Sequence, residues 1–245
     1  MIWFLYSLAF WTFLFVSSVI LFPVAVLIWV VTIPFDPRKR LLHRFTCFWA
    51  SLYTWFNPAW PVKVNGREKA RTDRATVMVA NHLSLLDILV MFRTFLLFKW
   101  VSKIEVFRVP FIGWNMSLNG YIKLKRGDRA SIVQMLDSCE EALRGGNSVM
   151  MFPEGTRSPT GKMRDFKSGA FEIAIRTRSP IQPILIHGTA DALPKRGFVL
   201  RGRHPIQVTF LDPIPPESFA HLSPEELATQ VRAKMGEALT ELTLN

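Results

Sequence analysis

From residue 2 to residue 33 the chain carries no charged side chain, and this stretch restricts it to architectures that keep a long apolar segment out of water. At about 1.5 Å of rise per residue, one straight helix of that length exceeds the roughly 30 Å hydrocarbon core of a bilayer. Pro23 lies inside the run and offers a break. The residues leave two arrangements open: a tilted or kinked anchor, or two shorter helices dipping into one leaflet. A cleaved signal peptide fits less well, because no basic segment precedes the run and the run is too long.

Asp36-Pro37-Arg38-Lys39-Arg40 follows, with His43 and Arg44 close behind. Lys and Arg beside an apolar segment mark the cytoplasmic side, the inner membrane's cytoplasmic face if the source is bacterial. Residues 45–60 mix aromatic rings with almost no charge, the composition of a belt at headgroup depth; an ordinary buried helix is the alternative. Asn57-Pro58 and Pro61 end this segment. The expected division is residues 1–60 as anchor and interfacial segment, and residues 61–245 as the main domain. The formal net charge of +11 suits nucleic acid, anionic lipid or an anionic substrate. A nucleic-acid module would leave the apolar start unexplained, whereas a membrane protein acting on anionic lipid accounts for both. Cys47 and Cys139 have no metal-ligand spacing and read as reduced thiols, buried or facing the membrane.

After Pro61, short apolar runs alternate with longer amphipathic ones. Strands are predicted at 62–64, 75–80, 99–102, 121–124, 148–151, 184–187 and 206–211, and helices at 85–97, 129–144, 168–177 and 224–242. Gly145 stops the second helix, and Ser223 with Glu226 forms a capping box at the start of the last. This alternation predicts an α/β fold: a mixed, largely parallel sheet flanked by helices.

Two strings follow predicted strands: Asn81-His82-Leu83-Ser84-Leu85-Leu86-Asp87, and Phe152-Pro153-Glu154-Gly155-Thr156-Arg157-Ser158. Strand ends are where ligands bind in open α/β sheets. On one continuous helix, His82 and Asp87 would point about 140° apart. They meet only if His82 stands on the turn before the helix, with Ser84 starting it and Asp87 in its first turn. Imidazole accepts a proton near neutral pH, and a carboxylate on its other nitrogen fixes the tautomer. By itself the pair is also consistent with a capping carboxylate and a loop histidine. Gly-x-Ser-x-Gly is absent and Ser84 is committed to the cap, which leaves a substrate hydroxyl as the nucleophile. Arg157 suits bidentate contact with phosphate, and Lys103, Lys125 and Arg126 add positive charge.

The ordered set resembles the glycerolipid acyltransferase family, whose best-known members acylate lysophosphatidic acid to phosphatidic acid. The likeness runs from roughly residue 75 to residue 190. It includes Lys103, Glu105, Pro110, Phe111 and Gly113, the block Gly120 to Arg126, and Ile181-Gln182-Pro183-Ile184. Leu83 stands where the family often has Gln, and Lys123 where it usually has an aromatic residue. The resemblance implies an N-terminal two-helix element and a catalytic domain over residues 61–245. His82 and Asp87 are then catalytic, and Glu154, Gly155, Thr156, Arg157, Arg126 and Lys103 bind substrate. Glu154 either orients the glycerol hydroxyl or buttresses Arg157. The implied reaction moves a fatty acyl chain from acyl-CoA or acyl carrier protein to the sn-2 hydroxyl of lysophosphatidic acid, with another lysophospholipid or glycerol 3-phosphate as the alternative acceptor. It needs no cofactor and no metal. A non-catalytic, membrane-tethered binder of anionic lipid is the rival reading; in it His82 and Asp87 are dispensable.

Overall fold

The computed structural model describes residues 1–158, 162–193, 199–200 and 202–244. It opens with α1 (Ile2–Thr32), one helix that continues through Pro23. The run therefore does not divide into two short helices. Proline removes one ladder bond, but contacts on both sides of it hold the helix. Phe10 packs edge-on to Trp60 at 5.0 Å, Ser17 Oγ lies 3.0 Å from the Tyr53 hydroxyl, Phe22 meets Phe111 and Trp114, and Ala25 is fully buried. The first turns are tied down too: the Leu200 N–H donates to Ser7 Oγ at 2.8 Å, and the Tyr6 hydroxyl donates to Asn57 Oδ1.

The partner of α1 is α2 (Arg40–Trp55), which begins after Lys39 in a left-handed conformation and packs along α1. Its aromatic residues divide between two environments. Trp49 and Tyr53, with Trp60 beyond the helix, are buried, while Phe48, Trp55 and Phe56 face outward. Half of the stretch assigned to headgroup depth is thus core, because α2 is amphipathic and buries one face under the sheet.

Strands β1 (Val62–Asn65), β2 (Val77–Ala80), β3 (Phe98–Lys103), β4 (Ile122–Leu124), β5 (Ser148–Met151), β6 (Ile181–His187) and β7 (Ile206–Phe210) form one sheet in the order β1-β7-β6-β2-β5-β3-β4. Every neighbouring pair is parallel except β6 and β7. This is the mixed, largely parallel α/β sheet expected from the alternation of runs. The helices are α3 (Leu86–Phe92), α4 (Ile112–Leu118), α5 (Arg129–Arg144), α6 (Gly169–Thr177), α7 (Thr189–Ala192) and α8 (Pro224–Leu244). Successive strand residues point to opposite faces. Val77 and Val79 of β2 pack with residues of α5, α6 and α8, while Met78 and Ala80 pack with α2 and α3.

The predicted helix over 85–97 ends early, at Phe92. Phe95 is left-handed, and Leu96 turns into the core instead of continuing the helix. Helix α4 had no predicted counterpart. The start of α8 has the expected box, with Ser223 N–H on Glu226 Oε2 at 2.9 Å and Glu226 N–H on Ser223 Oγ at 3.2 Å. Both cysteines are buried and free.

His43 of α2 lies wholly within the core. Its Nε2–H donates to the Leu96 carbonyl at 2.9 Å, and the Tyr121 hydroxyl donates to Nδ1 at 2.9 Å. Burial, reinforced by the Lys99 charge and partly offset by the Leu96 carbonyl, lowers its pKa to about 3. The unfolded chain takes up this proton near about pH 6.5. Stability due to this residue is therefore present above that pH and lost as the pH falls toward 3. We expect His43→Gln to show a shallower loss of unfolding free energy with acid, by up to one proton, in urea titrations across this window.

Candidate active site

Strands β2, β3, β4, β5 and β6 run parallel, so their C-terminal ends share one rim. At the end of β2, the Asn81 side chain extends the ladder to β6. Its Nδ2 donates to the Ile186 carbonyl and its Oδ1 accepts the Ile186 N–H, each at 2.8 Å. The chain then leaves the sheet and places His82 before the helix, not in it.

The backbone of His82 is gripped from both sides. Its N–H donates to Glu154 Oε1 at 2.7 Å, and its carbonyl accepts the Ser158 N–H at 2.8 Å. The ring stacks on Phe152 at 4.0 Å, nearly parallel. Nδ1 lies 2.8 Å from Asp87 Oδ2. Since an ionised carboxylate only accepts, Nδ1 carries the hydrogen and Nε2 keeps its lone pair. The same oxygen takes the N–H groups of Leu83 at 2.6 Å and Ser84 at 2.8 Å, and Oδ1 takes the Thr189 hydroxyl at 2.5 Å. Asp87 is fully buried, a position a carboxylate tolerates only with this many donors.

Of the capping box expected at Ser84, the reciprocal half is present: Asp87 holds the Ser84 N–H. The Ser84 hydroxyl itself donates to the Leu193 carbonyl at 2.6 Å and receives the Leu86 N–H at 3.2 Å.

The string after β5 builds the opposite wall. Gly155 has φ of +69°, and a Cβ there would come within 3.0 Å of Lys167 Cε. The left-handed backbone favours glycine, and a side chain there would also have to displace the flexible end of Lys167. Glu154 stands behind the wall. Its Oε1 serves His82 and its Oε2 accepts the Arg164 N–H at 3.0 Å. Burial pushes its pKa up, against the opposing pull of those two N–H groups. The carboxylate therefore braces the His82 backbone, a role different from the two expected of it.

Between these walls lies a cavity of about 690 Å³. His82 lines it, as do Gly155, Thr156, Arg157, Arg126 and Lys103. The geometry thus brings the predicted site residues to one space except Glu154 and Asp87; Asp87 lies fully buried behind the His82 ring. Lys103 also pairs with Glu105 at 3.1 Å, both about half exposed. Much of the remaining lining is apolar and includes Trp49, Ile88, Leu89, Phe92, Trp100 and Met116. Sequence reasoning missed Lys167, which adds a further ammonium to the wall, and Thr189. Neither has a spacing signal, since both reach the site through contacts far along the chain. The arrangement offers a proton acceptor in a cavity lined by both cationic and apolar side chains.

Residues 61–187 match the Acyltransferase family. The chain is 36 % identical over 208 residues to a chloroplastic 1-acyl-sn-glycerol-3-phosphate acyltransferase of Arabidopsis thaliana, covering 84 % of this chain and 56 % of that one. Against a Saccharomyces cerevisiae 1-acyl-sn-glycerol-3-phosphate acyltransferase it is 35 % identical over 186 residues, or 74 % of this chain and 60 % of the relative. It thus spans between half and two thirds of the length of these curated relatives. The crystal structure of the 1-acyl-sn-glycerophosphate acyltransferase PlsC from Thermotoga maritima superposes with a TM-score of 0.80 at 25 % identity, covering 99 % of this chain and 96 % of that one. A match across more than half of the residues, carrying both strings that build the cavity, shows that the chain belongs to the acyltransferase family.

Proposed function

We propose that this protein transfers a fatty acyl group from a thioester carrier to the sn-2 hydroxyl of lysophosphatidic acid, giving phosphatidic acid for phospholipid synthesis. The observation that carries this reading is His82. Its Nδ1 is committed to Asp87, and it lines a cavity that holds both cationic and apolar side chains. Nε2 takes the hydroxyl proton, and the substrate oxygen attacks the thioester carbonyl. The tetrahedral intermediate collapses with cleavage of the C–S bond, and the imidazolium returns the proton to the departing thiolate. Asp87 stabilises the imidazolium while it exists. Arg126 and Arg157 hold the phosphate, and the apolar part of the lining takes an acyl tail.

The protein acts at a membrane in this reading. The candidate span in α1 is only 11 % buried, and α2 and α4 add exposed Phe48, Trp55 and Trp114. Helix α1 is bonded to the rest of the molecule from Tyr6 and Ser7 to Ser17 and packed against α4 at Phe22. Such a helix lies along the domain, which favours insertion into one leaflet over crossing. The basic residues 38–40 support a cytoplasmic side for the domain in this reading.

Detergent-purified protein supplied with a panel of lysolipids and with acyl-CoA or acyl carrier protein thioesters tests the assignment, with products identified by mass. Acylation of lysophosphatidic acid in preference to neutral lysolipids is expected; no acylated product from any pair would overturn it. Arg126→Ala and Arg157→Ala should each raise the acceptor KM by about tenfold or more, the value of one charge-assisted hydrogen bond. Lys at either position restores charge without the fork and recovers only part of the loss. An unchanged acceptor KM in both Ala variants, with donor saturating, refutes the phosphate role.

A further inference from the structure

The two oxygens of Asp87 are unequally loaded. Oδ2 takes three donors, the His82 ring and the N–H groups of Leu83 and Ser84, whereas among the described residues Oδ1 takes the Thr189 hydroxyl. That bond, at 2.5 Å, has the length of a hydroxyl on an ionised carboxylate. Both side chains are fully buried, so water does not substitute for either partner. Thr189 opens α7, just beyond β6 and 102 residues beyond Asp87. It is delivered by Gly188 at φ of +85°, whose missing Cβ would lie 2.1 Å from the Pro205 carbonyl oxygen. The backbone that presents the hydroxyl is thus fixed by a close approach to the neighbouring chain.

A carboxylate turns easily about its terminal torsion, which has broad wells. Three donors crowd one oxygen of Asp87. With nothing on the other, rotation would share those donors between both oxygens and draw Oδ2 away from the ring. We propose that Thr189 is a positioning residue for proton transfer at His82: its hydroxyl pins Asp87 Oδ1, so that Oδ2 stays on Nδ1 and the productive tautomer is kept. This rests on the reading of His82 as the base.

Thr189→Val keeps the shape of the side chain and removes the hydroxyl; Thr189→Ser keeps the hydroxyl and removes the methyl. The Val variant should lose about tenfold or more in kcat, the scale of one hydrogen bond to a charged group, with both KM values within about twofold of wild type. The Ser variant should keep wild-type kcat. A packing role predicts the opposite order. In an Asp87→Asn background the Val substitution should cost almost nothing further, since it acts through the carboxylate. Wild-type kcat in Thr189→Val, or an impaired Thr189→Ser whatever the Val variant does, overturns the positioning role while leaving the acyltransferase assignment intact. Absence of transfer by the unmodified protein with every donor and acceptor sinks both.

Discussion

His82→Ala should lower turnover by about 100-fold to 10,000-fold, the range of general-base loss, in a protein that still folds. Retention of the fold follows from how the residue is held. Its N–H and carbonyl are bonded to Glu154 and Ser158, contacts that do not involve the ring. Asp87 keeps the Leu83 and Ser84 N–H groups and the Thr189 hydroxyl, so the buried carboxylate stays solvated by protein donors. The substitution therefore deletes the proton acceptor and the Phe152 stacking surface and little else. Turnover in initial-rate assays, with far-UV circular dichroism on the same preparation, is the measurement. Near-normal turnover in a folded His82→Ala variant would eliminate the base mechanism.

For Gly188→Ala the expected effect is on stability. A methyl group there meets the Pro205 oxygen at 2.1 Å, and the left-handed φ of +85° adds its own cost. Overpacking contributes roughly 1–3 kcal/mol and the left-handed conformation about 1–2 kcal/mol. At roughly 2–4 °C per kcal/mol for a chain of this size, Tm should fall by about 4–20 °C. Relief would require β6 and β7 to part, because Pro205 leads directly into β7. Thermal unfolding in detergent measures the shift; a Tm within a degree or two of wild type would mean that the 188–205 contact yields freely.

The sheet was readable because its information is local. Strands β2 and β5 are continuous apolar runs bounded by polar turns, and each is buried along its whole length. Helix α5 has its stop at Gly145, and α8 has its box at Ser223. The pair of His82 and Asp87 was readable for the same reason: five positions are close enough to reason about geometrically. What escaped depends on contacts between distant segments. Nothing near Thr189 or Lys167 shows that one meets Asp87 and the other covers Gly155. Glu154 looks like a ligand beside an arginine, and only the fold turns it toward the His82 and Arg164 backbones. Pro23 looks like a break, and only the packing of Phe10 and Phe22 keeps α1 whole.

The bond from the Leu200 N–H to Ser7 spans 193 residues, and it sets an order of events during synthesis. Helix α1 leaves the ribosome well before Leu200, a partner of its opening turns. At roughly 5–20 residues per second, that partner emerges some ten to forty seconds later. Strand β1 waits comparably, since Val62 pairs with Ile206. Through this interval α1 can pack on α2 and α4, which are made earlier, but its opening turns lack the bond to Leu200. The edge of the sheet closes late for the same reason, after α1 and α2 are already made.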